Sequence, residues 1–177
     1  MTPDDAAPQL KARLARTEAD LLGAQRLRYE VFVRELGGDG PLVDHENRLE
    51  RDAFDPHFDH LVLVDTTRDP EGLDHVVGVY RLLPGERAAA AGGFYSEAEY
   101  DLTVLRASGR RLLELGRSCV HARHRGGGAM FLLWAALADY VLAREIEVMF
   151  GVASFHGTDV AALRMPLSWL HHHHLAP

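Results

Sequence analysis

The chain has 177 residues and a mass of 19.7 kDa, long enough for one domain with a sizeable core. Hydrophobic residues make up 47% and charged residues 25%, which excludes disorder, collagen-like repeats and a disulfide scaffold. Nineteen Lys and Arg against 26 Asp and Glu give −7 at pH 7, which argues against nucleic acid as a partner. The one cysteine, Cys119, cannot form an internal disulfide, so a reducing compartment fits. Residues 1–7 are polar and acidic, unlike a signal peptide. The longest apolar run, 129–138, is about half the roughly 20 residues needed to cross a bilayer. These features predict a cytoplasmic protein.

Residues 1–8 read as a flexible tail and residues 9–16 as a short edge strand. Thr17-Glu18-Ala19-Asp20 has the spacing of a helix N-cap, and the helix it opens is predicted to run to about Leu36 and stop at Gly37-Gly38. A polar, acidic loop follows over residues 39–59, with room for one helical turn. Strands are predicted at 60–65 and 75–83, separated by a Pro/Gly/Asp turn. Gly92-Gly93 breaks the chain before a short segment at 95–102, and another strand covers 112–120. Gly126-Gly127-Gly128 precedes a helix from Ala129 to about Arg144, apolar on nearly all sides and so expected to be buried. A strand at 147–153 and a last helix from Thr158 to about Leu170 complete the prediction. Strands mixed with helices give an α/β or α+β class, in a single domain over residues 9–177.

Four places stand out chemically. In the first helix, Leu21, Ala24, Leu27, Val31, Phe32 and Leu36 form an apolar arc, and Arg28 falls near its middle. Such an arginine is either paired inside the core or packs its stem and lets its head reach water. Residues 39–59 carry seven acids (Asp39, Asp44, Glu46, Glu50, Asp52, Asp55, Asp59) and two arginines. This is either a solvated loop or a pocket for an amine-bearing substrate. His45, His57 and His60 lie among them, but no spacing matches a calcium loop or a zinc motif, and no metal is expected.

The strand at 112–120 holds Glu114 and Arg117 in apolar surroundings. Strict alternation puts them on opposite faces, and a bulge at Gly116 would bring them to one side. They form either a structural ion pair or a desolvated base beside its partner. The fourth place is His121-Ala122-Arg123-His124-Arg125-Gly126-Gly127-Gly128-Ala129. There a glycine loop opens a helix and offers free amides to an anion. Residues 101–130 hold six arginines against two acids, +4 inside a −7 protein. The Lys-Ser/Thr of a P-loop is absent. Cys119 reads as a core thiol, and His171–His174 as native sequence rather than a purification tag.

The strings Leu27-Arg28-Tyr29-Glu30-Val31-Phe32-Val33, Glu50-Arg51-Asp52-Ala53-Phe54-Asp55, Gly78-Val79-Tyr80-Arg81-Leu82-Leu83, Gly92-Gly93-Phe94-Tyr95-Ser96-Glu97 and Glu114-Leu115-Gly116-Arg117-Ser118-Cys119-Val120-His121 occur in order. So do 151–159 and 170–177. Together they resemble the L-ornithine Nα-acyltransferases of ornithine-lipid synthesis, a branch of the GNAT superfamily. The resemblance implies a GNAT-like mixed sheet flanked by helices. It implies transfer of a 3-hydroxyacyl group from acyl carrier protein to the α-amine of L-ornithine, giving lyso-ornithine lipid. No permanently bound cofactor is implied; the co-substrate is acyl-phosphopantetheine on the carrier. A lipid product also implies possible peripheral contact with the inner face of the membrane. Relatives generally continue past the Leu-Ala-Pro, so the chain is expected to lack the last strands of the sheet.

Arg28, Phe32, Glu50, Asp52, Asp55, Arg81, Phe94 and Glu114-x-x-Arg117 are also similar to signature positions of acyl-homoserine lactone synthases. That likeness implies catalytic roles for Glu114, as base, and Arg117. It implies substrate-binding roles for Arg28, Phe32, Glu50, Asp52, Asp55, Arg81 and Phe94. The acyl donor's arm would be held by Val120, His121, Arg123, Arg125, Gly126, Gly127 and Gly128. Against the Arg-x-x-Gly-x-Gly/Ala of enzymes that use coenzyme A, a register starting at Arg125 puts Met130 where Gly or Ala is usual. One starting at Arg123 fits but sets the arginine two residues earlier than usual; this reads as a loop for carrier-bound phosphopantetheine. The other readings are a lactone-synthase-like or coenzyme A-dependent N-acyltransferase, and a non-catalytic module that binds acyl groups or carrier protein.

Overall fold

The computed structural model of the protein describes residues 8–155 and 157–175, so the tail reading for 1–7 and the family matches at 156, 176 and 177 lie outside the described residues. The elements in chain order are β1 (Leu10–Leu14), α1 (Glu18–Arg28), β2 (Asp59–Asp65), β3 (Val76–Pro84) and the short α2 (Gly85–Ala88). They are followed by α3 (Thr103–Ala107), β4 (Leu112–Val120), α4 (Ala129–Ala143), β5 (Val148–Phe150) and α5 (Val160–His174). The five strands form one mixed sheet in the order β1-β2-β3-β4-β5, antiparallel up to β4, with β5 parallel to β4. Among the described residues no helix is long and apolar enough to cross a membrane.

Strand β2 is buried on both faces, as its unbroken apolar run requires. Leu61 and Leu63 meet Leu133, Leu137 and Tyr140 of α4, while Val62 and Val64 meet Ala24 and Leu27 of α1. Cys119 lies in the α1 core, where burial pushes its thiol up to about 12; it stays protonated at neutral pH and is no nucleophile.

Helix α1 starts as its sequence predicts. The Thr17 hydroxyl accepts from the Asp20 N–H at 3.1 Å, and the Asp20 carboxylate accepts from the Thr17 N–H, a reciprocal capping box. Asp20 also takes two hydrogen bonds from Arg13 of β1, at 2.7 and 2.8 Å, and lies 3.3 Å from His75. The Arg13 guanidinium, helped by backbone N–H groups, holds the Asp20 carboxyl far below the usual carboxylate range despite its burial. Stability from this group is therefore complete above its unfolded pKa, about 4, and is lost as pH falls toward the lower folded value. Asp20→Asn should lower stability by on the order of 2 kcal/mol at pH 7 and flatten the fall in stability below pH 4, measured by urea titration at several pH values.

The predicted helix does reach Leu36, but over Tyr29–Glu35 it widens into a π-helix, a feature hydrophobic periodicity does not announce. Gly37 ends it with φ +72°, donating its N–H to the Val33 carbonyl.

Two expectations are corrected. Helix α4 is buried along one face only: Ala129, Leu133, Leu137 and Tyr140 are covered, whereas Phe131, Trp134 and Leu142 are exposed. Its composition is apolar all round, but the sheet covers a single stripe of it. The strand expected at 147–153 pairs only over Val148–Phe150. Gly151 then passes so close to the Leu115 carbonyl that any side chain would overlap it. Beyond that contact, Leu115–Val120 of β4 extends with no β5 pairing, and the two strands part.

Candidate active site

Arg28 is fully buried and reaches no water, which settles the two readings of the first helix. Its guanidinium donates to Glu50 through Nε and to Asp55 Oδ1 through Nη1 at 2.6 Å. Arg81 of β3, also buried, donates through Nη1 to the same Asp55 oxygen at 2.8 Å and to Asp52 Oδ1 at 2.7 Å. Gln25 completes the shell at Asp55 Oδ2, 3.1 Å away. Burial alone would raise the Asp55 pKa, but Arg28 and Arg81 outweigh it and hold the carboxyl below its ordinary range. The Phe58 ring lies under Arg81, 4.5 Å from centroid to Cζ, and seals the network from below. The acidic loop is mostly exposed over 39–48, but three of its seven acids, Glu50, Asp52 and Asp55, turn inward to neutralise two core arginines.

The bulge anticipated at Gly116 exists. Arg81 opposes Gly116 and Val79 opposes Cys119, so Tyr80 faces two residues of β4, and Arg117 there has φ +50°. The side-chain parity reverses across it. Leu113 and Leu115 pack on the α4 side and so does Val120, three positions after Arg117. Glu114 and Arg117 consequently share the other face.

They do not pair with each other. Arg117 donates through Nε to Glu50 Oε1 at 3.1 Å, and its head lies 5.3 Å from the Tyr95 ring centroid and 5.7 Å from that of Phe32. Glu114 is 1% exposed and accepts from the Tyr95 and Ser96 N–H groups, both at 2.7 Å, and from the Ser96 hydroxyl. Sequence reasoning missed Tyr95 and Ser96; the Gly92-Gly93 break before them was the signal that this turn is specially shaped.

Above the network opens a cavity of about 590 Å³. Glu50, Asp52 and Arg117 form its charged floor; Phe32, Leu36, Leu42, Val43, Phe54 and Tyr95 are among its apolar walls. Asp52 Oδ1 is held by Arg81 and the Phe54 N–H at 2.9 Å, but Oδ2 has no hydrogen-bond partner; its nearest cation is Arg117, 3.8 Å away. A buried, unpartnered carboxylate oxygen beside a guanidinium can receive an ammonium group while the guanidinium receives a carboxylate.

Of the residues implied for the substrate, Phe32, Glu50 and Asp52 line this cavity with Arg117, while Arg28, Asp55 and Arg81 lie beneath them. Phe94, also implied for the substrate, and Glu114, implied as the base, are placed elsewhere. Phe94 is a core residue whose ring meets Phe150 edge-on at 5.0 Å. Glu114 is not among the residues that line the cavity, and its hydrogen bonds go to the 95–96 turn.

At the end of β4, Val120 is buried and its carbonyl accepts from Arg125 Nε at 2.8 Å; Arg125 also pairs with Glu35 at 2.8 Å. His121 and Arg123 line a groove beside this turn, and a Cβ added at Gly126, Gly127 or Gly128 would meet nothing within 4 Å. Gly128 caps α4 with no side-chain bond, which leaves the first-turn amides free for an anion. Among the described residues no group of three or more His, Cys, Asp or Glu could hold a metal ion.

Residues 27–135 match the acetyltransferase (GNAT) domain family. The chain is 70% identical to an L-ornithine N(alpha)-acyltransferase of Rhodobacter capsulatus, over 97% of this chain and 67% of that protein. It is 42% identical to one of Brucella abortus, over 92% of this chain and 59% of that protein. The chain therefore spans about two thirds or less of the length of these curated relatives. Among solved structures it is similar to the acyl-homoserine lactone synthase LasI, with a TM-score of 0.57 at 19% identity, covering 92% of this chain and 78% of that one. It is also similar to FeeM, an N-acyl amino acid synthase from uncultured soil microbes, with a TM-score of 0.52 at 17% identity over 81% and 70%. At these identities the likeness shows a common fold.

Proposed function

The chain belongs to the GNAT acyltransferases, in the branch of the L-ornithine N(alpha)-acyltransferases, and from that membership we propose that its cavity binds L-ornithine and that the α-amine takes an acyl group there. The observation that carries the reading is the cluster of Glu50, Asp52 and Arg117 in a cavity also lined by Asp39 and Arg51, so that anions and cations both face a substrate with two ammonium groups and one carboxylate. Arg117 receives the carboxylate, and the free Oδ2 of Asp52 receives the α-ammonium.

The donor is acyl-phosphopantetheine on acyl carrier protein. Its arm lies along the unpaired edge of β4, and its phosphate meets the amides of 126–128, with His121, Arg123 and Arg125 nearby. The thioester carbonyl then sits over the bulge at Gly116–Ser118, next to the floor of the cavity. The ammonium gives one proton to Asp52 and on to water. The amine forms a C–N bond to the carbonyl carbon, the C–S bond breaks, and the departing sulfur keeps the second proton as a thiol. The products are N-acylornithine (lyso-ornithine lipid) and the free carrier thiol. Arg28, Asp55 and Arg81 hold Glu50 and Asp52 in place. Glu114 acts as a positioning residue that fixes Tyr95 against Arg117.

Calorimetry with ornithine and putrescine tests the acceptor site, because putrescine keeps both amines and lacks the carboxylate. Ornithine should bind at least tenfold more tightly, and Arg117→Ala should erase the difference. Equal binding of the two by the native protein would overturn this assignment.

A further inference from the structure

A second cavity, of about 280 Å³, opens on the opposite side of the β4 end, between the C-terminal half of α1, the turn before β3 and the 121–124 turn. Arg26, Arg68, His121, Arg123 and His124 converge on it; the acids on its rim are Glu30 and Asp74, already engaged by Arg34 and Arg68 at 2.6 Å. Two observations mark it as short of an anion. Arg26 donates through Nη2 to the Asn47 carbonyl at 3.0 Å but its buried Nε has no hydrogen-bond partner, and the Arg123 guanidinium has no ion-pair partner among the described residues. His121, 5.9 Å from the His124 ring, is held below its ordinary pKa by burial and then by the crowding of His124, Arg123 and Arg68. With Asp74 taken by Arg68 and Glu30 by Arg34, Arg26 and Arg123 face the groove with no carboxylate of their own, in a protein of net charge −7.

We infer that this groove is the docking surface for the protein body of the acyl donor, an acidic carrier that places a carboxylate between Arg26 and Arg123. The inference rests on the carrier-bound donor proposed above and deepens it. The groove and the 126–128 amides flank the same turn, so a carrier seated on the groove lies beside the point where its phosphopantetheine enters. The cavity admits a side chain but no domain, so the rest of the contact runs over the surrounding basic surface. Such a surface steers the encounter and weakens with salt.

The test measures affinity for purified apo-acyl carrier protein, which lacks the phosphopantetheine arm, by fluorescence anisotropy at 50 and 200 mM salt. The native protein is compared with Arg123→Glu and with Arg164→Glu, an equal charge change on the exposed face of α5. The expected result is an affinity loss of at least tenfold for Arg123→Glu, less than twofold for Arg164→Glu, and a shallower salt dependence in the first alone. Carrier binding that ignores Arg123→Glu, or is weakened equally by both changes, overturns the docking surface and leaves the carrier-bound donor standing. No carrier binding by the native protein, with turnover of acyl-coenzyme A, overturns both.

Discussion

Arg28→Met is expected to destabilise the protein by about 3–5 kcal/mol, the largest effect of any single change outside the apolar core. Removing the guanidinium leaves Glu50 and Asp55 as buried carboxylates that lose their shared counter-charge. Arg81 still touches Asp55, but it touches nothing on Glu50, which is left with Arg117 alone. Arg28→Lys should recover little, because one ammonium cannot reproduce the planar fork that bridges two carboxylates. Urea unfolding at pH 7 measures both, and a loss below 1 kcal/mol for Arg28→Met would show that water enters the network. In acid, the lowered Asp55 pKa works as at Asp20. Its contribution is complete above the unfolded carboxylate pKa and disappears as pH falls toward the folded value.

The second large effect is on turnover. Asp52→Asn keeps the shape of the cavity floor and removes the proton acceptor, so acyl transfer to ornithine should fall by about 10²–10³-fold. The deficit should narrow as pH rises, because the ornithine amine then sheds its proton without help. A deficit constant across pH would make Asp52 a positioning group. Glu114→Gln provides the contrast. It replaces an acceptor oxygen with a donor that faces the Tyr95 and Ser96 N–H groups, so it should loosen the 95–96 turn, raise KM for ornithine and show no recovery at high pH.

How much of this was legible in the sequence differs from residue to residue. Arg28 was conspicuous because a charge inside an apolar arc demands a partner, and the acids of 39–59 were candidates, with 50–55 singled out only by the resemblance to acyl-homoserine lactone synthases. The bulge was legible through Gly116 and through two charges in one buried strand. The aim of Glu114 was not, since it depends on a turn that begins 19 residues earlier and whose amides complete the carboxylate. Phe94 was drawn into the site by resemblance, whereas its neighbours Phe58, Leu83 and Leu112 make it core. For α4, uniform apolarity carries no information about which face the sheet covers. The π-helix at Tyr29–Glu35 left no periodic trace either, although it carries Phe32 and Val33 into the cavity wall.

The basic and acidic halves of the charge balance now have separate places. In the proposed reaction the acids of 50–55 would serve the acceptor side and the arginines and histidines of 121–125 the donor side, with β4 running between them. The central claim is that a carrier-bound acyl group reaches the ornithine α-amine across that strand. Mass spectrometry of the products formed by purified protein, 3-hydroxyacyl carrier protein and L-ornithine tests it most directly. The account predicts N-acylornithine in amounts equal to the free carrier thiol released. Release of thiol with no N-acylornithine, or acylation of another amine in preference to ornithine, would contradict it.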